Sequence, residues 1–173
     1  MLALKAKSGF EESKVKEIEL SIGRLQVGML RHSRPQTALD AKFSAEFAAA
    51  SAVLAGRVGL AELRDEFVSS APVQALLRKV KVTAQDDPDP EDRLFSRSDT
   101  VRVTLADGTV LAGEPVRHAL GHARNPVGLD ELREKFEDCV GVALAPRRRE
   151  SLFAQLMELE KLAEPAALYR NPA

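Results

Sequence analysis

The chain has no tryptophan, one tyrosine, one cysteine, no long apolar run and almost no net charge. Each scarcity excludes a class of function. The lone Cys139 has no partner for an intramolecular disulfide, and no Cys/His cluster has structural-zinc spacing, so a reducing cytoplasm is the expected compartment. With aromatics at 5%, the anchors usual at peptide or single-strand binding surfaces are scarce. A formal net charge of -1 and a pI near 6.3 supply no basic field for a phosphate backbone, so nucleic acid is not an expected partner. The opening Met1-Leu2-Ala3-Leu4-Lys5-Ala6-Lys7 is too short for a secretory apolar region, and no run of spanning length follows, so no membrane role is expected. A Gly-x-Ser-x-Gly elbow, a Ser/His/Asp set and a phosphate-cradling glycine loop are also missing, which leaves an autonomous hydrolase without support.

What is present suits a compact fold. A length of 173 residues with 45% hydrophobic content is enough for one core. Ile18, Leu20 and Ile22 alternate with Glu17, Glu19 and Ser21, which predicts a strand closed by Gly23. The stretch from Gly23 to Ala38 reads as a long irregular loop broken by Pro35. A central helix is predicted from about Leu39 to Ala55, with Leu39, Phe43, Phe47, Ala50 and Leu54 along one stripe, Ala41, Ala45, Ala48 and Ala52 along another, and Gly56 at its C-terminal cap. Shorter helices follow from Gly59 and from Ser70-Ala71-Pro72. Val80-Lys81-Val82-Thr83 is a short strand, and Asp86 to Asp92 an acidic, proline-rich, solvated and mobile loop. Val101, Val103 and Leu105 lead into Asp107-Gly108, with Thr109-Val110-Leu111 beyond, a strong hairpin signal. Leu129, Leu132, Phe136 and Val140 mark one late amphipathic helix, and Leu152, Leu156, Leu159 and Leu162 another, ended or bent by Pro165. The expected fold class is α+β: a small, mostly antiparallel four-stranded sheet packed against helices, with C-terminal helices. The expected organisation is an α+β domain over 1–144 and a helical tail over 145–173.

Several motifs in order carry a family resemblance: Pro35-x-Thr37, Asp40-Ala41-Lys42-Phe43-Ser44, Leu54-Ala55-Gly56, Val80-Lys81-Val82, Leu105-Ala106-Asp107-Gly108, Gly121-His122-x-x-Asn125-Pro126 and Leu132-x-x-Lys135-Phe136. Over roughly Lys14 to Leu168 the chain resembles the C-terminal part of MmgE/PrpD proteins. That resemblance implies a lid-like α+β domain and returning helices without the large helical domain that precedes them in the family. It implies metal-free, cofactor-free acid-base chemistry on small carboxylic acids: dehydration of 2-methylcitrate, decarboxylation of cis-aconitate or epimerisation of iminodisuccinate. Because the family's large domain supplies histidines and a lysine, the expected partner is a helical N-terminal-domain protein or another copy of the chain. The isolated chain is then expected to be inactive. A non-enzymatic interaction domain that retained the fold is the other reading.

Such chemistry needs a base, an acid and cations to hold carboxylates. Lys42 and Ser44, at the start of the predicted central helix, are candidates to face a bound carboxylate; the alternative is a lysine in water and a serine that packs or caps. Phe47 falls where, on this resemblance, decarboxylase-type members carry a pocket tyrosine; the missing hydroxyl counts against cis-aconitate decarboxylation, and core packing is its other role. Arg31, His32 and Arg34 form a basic cluster able to meet a polyanion or to remain solvated surface. His118 and His122 have i, i+4 spacing, but Gly121 intervenes and no third ligand is evident, so no metal is expected. Arg147-Arg148-Arg149 follows Pro146 at a helix start, the unfavourable end for cations, and reads as a surface or inter-domain salt-bridging group, with an anionic partner surface as the alternative.

Overall fold

The computed structural model describes residues 1–169. Its described part divides into two compact units, Met1–Ala119 and a second beginning at Leu120. The first opens with helix α1 (Leu2–Ser8), strand β1 (Val15–Gly23) and helix α2 (Arg24–Met29). Helices α3 (Ala38–Ala41), α4 (Ala45–Leu54), α5 (Asp65–Val68) and α6 (Ala71–Leu77) follow, then strands β2 (Val80–Gln85), β3 (Thr100–Leu105) and β4 (Val110–Ala112).

The period-two pattern of β1 organises this unit. In the sheet order β2-β1-β3-β4, β1 runs parallel to β2 and antiparallel to β3, and β3 runs antiparallel to β4. Register places Ile18 beside both Val80 and Val103, and Leu20 beside both Val82 and Val101, so the apolar positions of three strands share one face. Ile18 and Val103 are fully buried there, in one cluster with Phe47, Ala50 and Val53 of α4 and Val73, Leu76 and Leu77 of α6. The opposite face is charged: Lys81 pairs with Glu17 at 2.6 Å and Arg102 with Glu19 at 4.0 Å. A parallel pair cannot be joined by a hairpin, so the helices between β1 and β2 form the crossover that covers the apolar face. The β3–β4 connection is the hairpin expected at Asp107-Gly108; Gly108 takes φ 89°, and the Asp107 carboxylate accepts the Thr109 amide at 2.8 Å.

Elsewhere the local structure departs from the sequence expectation. The segment after Gly23 is helical through Met29, because Gly23 sits extended as its N-cap and Arg24 is tied to Asp86 at 2.6 Å. The helix expected from Gly59 begins only at Asp65, since the Glu62 carboxylate instead accepts the Gly59 amide at 2.9 Å and pairs with Arg57 at 3.0 Å, holding a turn. The acidic loop is not merely solvated: Asp89 is buried, accepts the Glu91 amide at 2.8 Å, and takes Arg117 at 2.6 and 3.0 Å. The Arg117 guanidinium, first, and the backbone amides hold the Asp89 carboxyl well below the usual range.

The second unit contains α7 (Leu129–Val140) and α8 (Pro146–Met157). Glu131 closes the start of α7 by accepting the Gly128 amide at 2.8 Å, and Pro146 occupies the first turn of α8. Phe153 of α8 packs against Phe136 of α7 with ring centroids 5.2 Å apart, and Arg133 lies over the same ring at 4.2 Å. Leu159 and Leu162 fall beyond the end of α8, in a short turn and after it, so they do not extend its stripe as expected. Arg149 bonds Glu137 at 3.0 Å and Arg148 bonds the Leu168 carbonyl at 2.9 Å, so two of the three arginines brace this unit.

Candidate functional site

The expected continuous helix from Leu39 to Ala55 is broken at residues 42–44, and the break builds the site. Two N-caps lie seven residues apart: Thr37 Oγ1 accepts the Asp40 amide at 3.2 Å to start α3, and Ser44 Oγ accepts the Phe47 amide at 3.0 Å to start α4. The chain turns between them through Phe43 N to Asp40 O at 3.0 Å and Ser44 N to Ala41 O at 3.2 Å. Leu39 and Phe43, expected on a buried stripe, are therefore 66% and 47% exposed.

The basic loop lies along this turn. Arg31 and Ser44 form an isolated antiparallel bridge, and the His32 amide donates to the Phe43 carbonyl at 3.1 Å. The sequence-distant candidates Arg31, His32, Lys42 and Ser44 are thereby brought to one neighbourhood. Lys42 and Arg31 are exposed, and His32 is partly so, with Nδ1 3.8 Å from Asp40 Oδ1. Arg34 is exposed on the same loop, just before buried Pro35, whose carbonyl accepts from Gln74 of α6 at 2.9 Å.

Two candidates point inward. Ser44 is 3% exposed, and its hydroxyl is committed to capping α4. Phe47 is fully buried, edge-on to Phe67 at 6.2 Å, so the absent hydroxyl changes the core and not an exposed surface. Beside them Glu46 is buried, with Oε2 3.4 Å from Ser44 Oγ. Burial pushes its carboxyl up, against the opposing pull of its own amide and of Ser44.

Other features lie apart from this neighbourhood. An open groove of about 780 Å³ runs between α2 and the acidic loop, lined by Arg24, Met29, Asp86 and Phe95 among others, and none of the five candidates lines it. His118 and His122 fall in different units, and His122 Nδ1 accepts the Arg124 amide at 3.0 Å. Among the described residues, no group of three or more His, Cys, Asp or Glu is placed to hold a metal ion, and no helix is long and apolar enough to cross a membrane.

Residues 1–159 match the family model of the MmgE/PrpD C-terminal domain. The chain belongs to the MmgE/PrpD family. It is 29% identical over 137 residues to a cis-aconitate decarboxylase of Mus musculus, covering 79% of this chain and 27% of that protein. It is 30% identical over 125 residues to a 2-methylcitrate dehydratase of Cupriavidus necator, covering 68% of this chain and 25% of that one. The chain thus spans about a quarter of the length of these curated relatives.

In this MmgE/PrpD domain, sequence reasoning missed Asp40 and Glu46 as members of the neighbourhood. Thr37-x-x-Asp40 and Ser44-x-Glu46 each begin with a capping hydroxyl followed by an acid, the signature of two helix starts. Nothing local, however, signals that Asp40 meets His32, which depends on the bridge between residues 31 and 44.

Proposed function

We propose that this domain is the C-terminal portion of a 2-methylcitrate dehydratase-like lyase, working on a small di- or tricarboxylic acid by acid-base proton chemistry next to a carboxylate. In this reading it turns substrate over only with a helical N-terminal domain, on the same or a separate polypeptide, in a reducing cytoplasm. The observation that carries the reading is the Arg31–Ser44 bridge, which brings the segment bearing Arg31 against the turn bearing Lys42, both of them exposed cations. Exposed cations favour carboxylates. The relatives' names, a decarboxylase and a dehydratase of carboxylic acids, support the same chemical class.

The test is to combine the purified chain with a helical N-terminal domain of the family and follow 2-methylcitrate and cis-aconitate by loss of substrate and appearance of product. Turnover by the pair and none by the chain alone is expected; no complex and no turnover over a panel of di- and tricarboxylates would sink the reading. A second reading, a non-catalytic interaction domain, is favoured by the exposed Leu39 and Phe43 at the same turn. Complex formation without turnover would select it.

A further inference from the structure

We propose that Asp40 and His32 form a proton-transfer dyad on this domain, with His32 Nε2 as the catalytic atom and Asp40 as its positioning residue; the proposal rests on the lyase reading above. Both partners are fixed by backbone bonds that do not involve their side chains. The His32 amide donates to the Phe43 carbonyl at 3.1 Å, the Asp40 amide is capped by Thr37 Oγ1 at 3.2 Å, and the Asp40 carbonyl accepts the Phe43 amide at 3.0 Å. Phe43 thus ties the histidine's loop to the aspartate's turn, and the side chains lie 3.8 Å apart, Nδ1 to Oδ1. Both are about one third exposed, 35% and 34%, which suits a group that must reach substrate better than one that fills a core.

An imidazole whose Nδ1–H faces a carboxylate keeps its lone pair on Nε2, the tautomer a general base requires. The 3.8 Å separation is an ion-pair distance, longer than a hydrogen bond, and the dyad requires it to close in the free chain. Arg31 precedes His32 and Lys42 follows Asp40 by two residues, and both are exposed, so cations able to attract a carboxylate lie close to the dyad in the chain. The step balances without a further reagent. Nε2 takes the proton from the carbon next to the carboxylate, and the C–H electron pair becomes the new C=C bond as the hydroxyl on the adjacent carbon departs. The imidazolium, its charge offset by Asp40, returns that proton to the departing oxygen, so water and the unsaturated acid leave and His32 is neutral again.

Two measurements test the dyad. On the chain alone at alkaline pH, ¹⁵N NMR of His32 is expected to show the Nδ1–H tautomer, shifting toward Nε2–H in Asp40→Asn; an Nε2–H tautomer in the unmodified chain overturns the proposal whatever the turnover. With the helical domain and 2-methylcitrate, His32→Gln is expected to lower kcat by about 10²- to 10⁴-fold, the range for general acid-base help. Asp40→Asn is expected to lower kcat with KM nearly unchanged, a split that a merely structural role would not give. Turnover that survives His32→Gln overturns the dyad and leaves the lyase reading standing, whereas absence of turnover from the unmodified pair removes both.

Discussion

The two units of this chain solve the problem of burial differently. In the first, residues from β1, β2, β3, α4, α5 and α6 converge on one apolar cluster, with Ile18, Phe47, Ala50, Val68, Val73 and Val103 all without exposed surface. In the second, Phe153 is the buried large apolar residue among those described, while Leu129, Leu132, Val142, Leu156 and Met157 are each more than 40% exposed. A hydrophobic cluster of many mutually touching residues is a cooperative unit, whereas a helix pair held by one ring pair, a cation over the same ring and an Arg149–Glu137 ion pair opens at lower cost. The contrast assigns folding stability to the unit that also carries the candidate site.

The sharpest way to break that contrast is a matched pair of truncations. Phe47→Ala removes a fully buried ring that packs edge-on to Phe67, and should destabilise the chain by about 3–5 kcal/mol, read as a lower urea midpoint. Phe153→Ala removes the ring shared by Phe136 and Arg133, and should abolish amide-exchange protection in α7 and α8 while β1 and α4 remain protected. If both variants lost protection uniformly through the chain, the two units would be one cooperative structure and the comparison would fail.

How well each region could be read from sequence follows the same division. Strand β1 was readable because Ile18, Leu20 and Ile22 alternate with polar residues, and the β3–β4 hairpin because Asp107-Gly108 supplies both the turn aspartate and the positive φ. The α4 stretch was read correctly as helical but wrongly as continuous. Its alanines favour helix on either side of residues 42–44, so composition hid a break that only the capping residues Thr37 and Ser44 mark. Lys42 and His32 could be singled out as site candidates, but their company could not, because it rests on a tertiary bridge between residues 31 and 44. The same holds for Asp89 and Arg117, 28 residues apart, whose pairing turns a segment with loop composition into an anchored one.

Within the stable unit, the break at Ser44 supplies the next test. Ser44→Ala removes the acceptor for the Phe47 amide at a buried helix start and should cost about 1 kcal/mol, within the 0.5–2 kcal/mol range of such caps. Thr37→Ala removes the equivalent acceptor from exposed, four-residue α3 and should cost less. Equal losses in urea denaturation would show that burial of the cap is immaterial and that α3 matters as much as α4.

The smallest effect concerns Glu46, and its sign runs opposite to the others. Burial raises the folded-state affinity of this carboxyl for its proton, while in the unfolded chain it titrates near the ordinary value of about 4.3. As pH rises through that value and on to the raised folded one, the unfolded state releases its proton first, so stability falls across the window and remains lower above it. Glu46→Gln keeps the shape without the charge, so it should be more stable than the parent at pH 7 and lose that advantage toward pH 4, read as the difference in urea midpoints at the two values. A variant less stable at pH 7 than at pH 4, relative to the parent, would mean that the ionised carboxylate is stabilised at the start of α4. The capping hydroxyl of Ser44, 3.4 Å away, and the helix amides would then outweigh the burial.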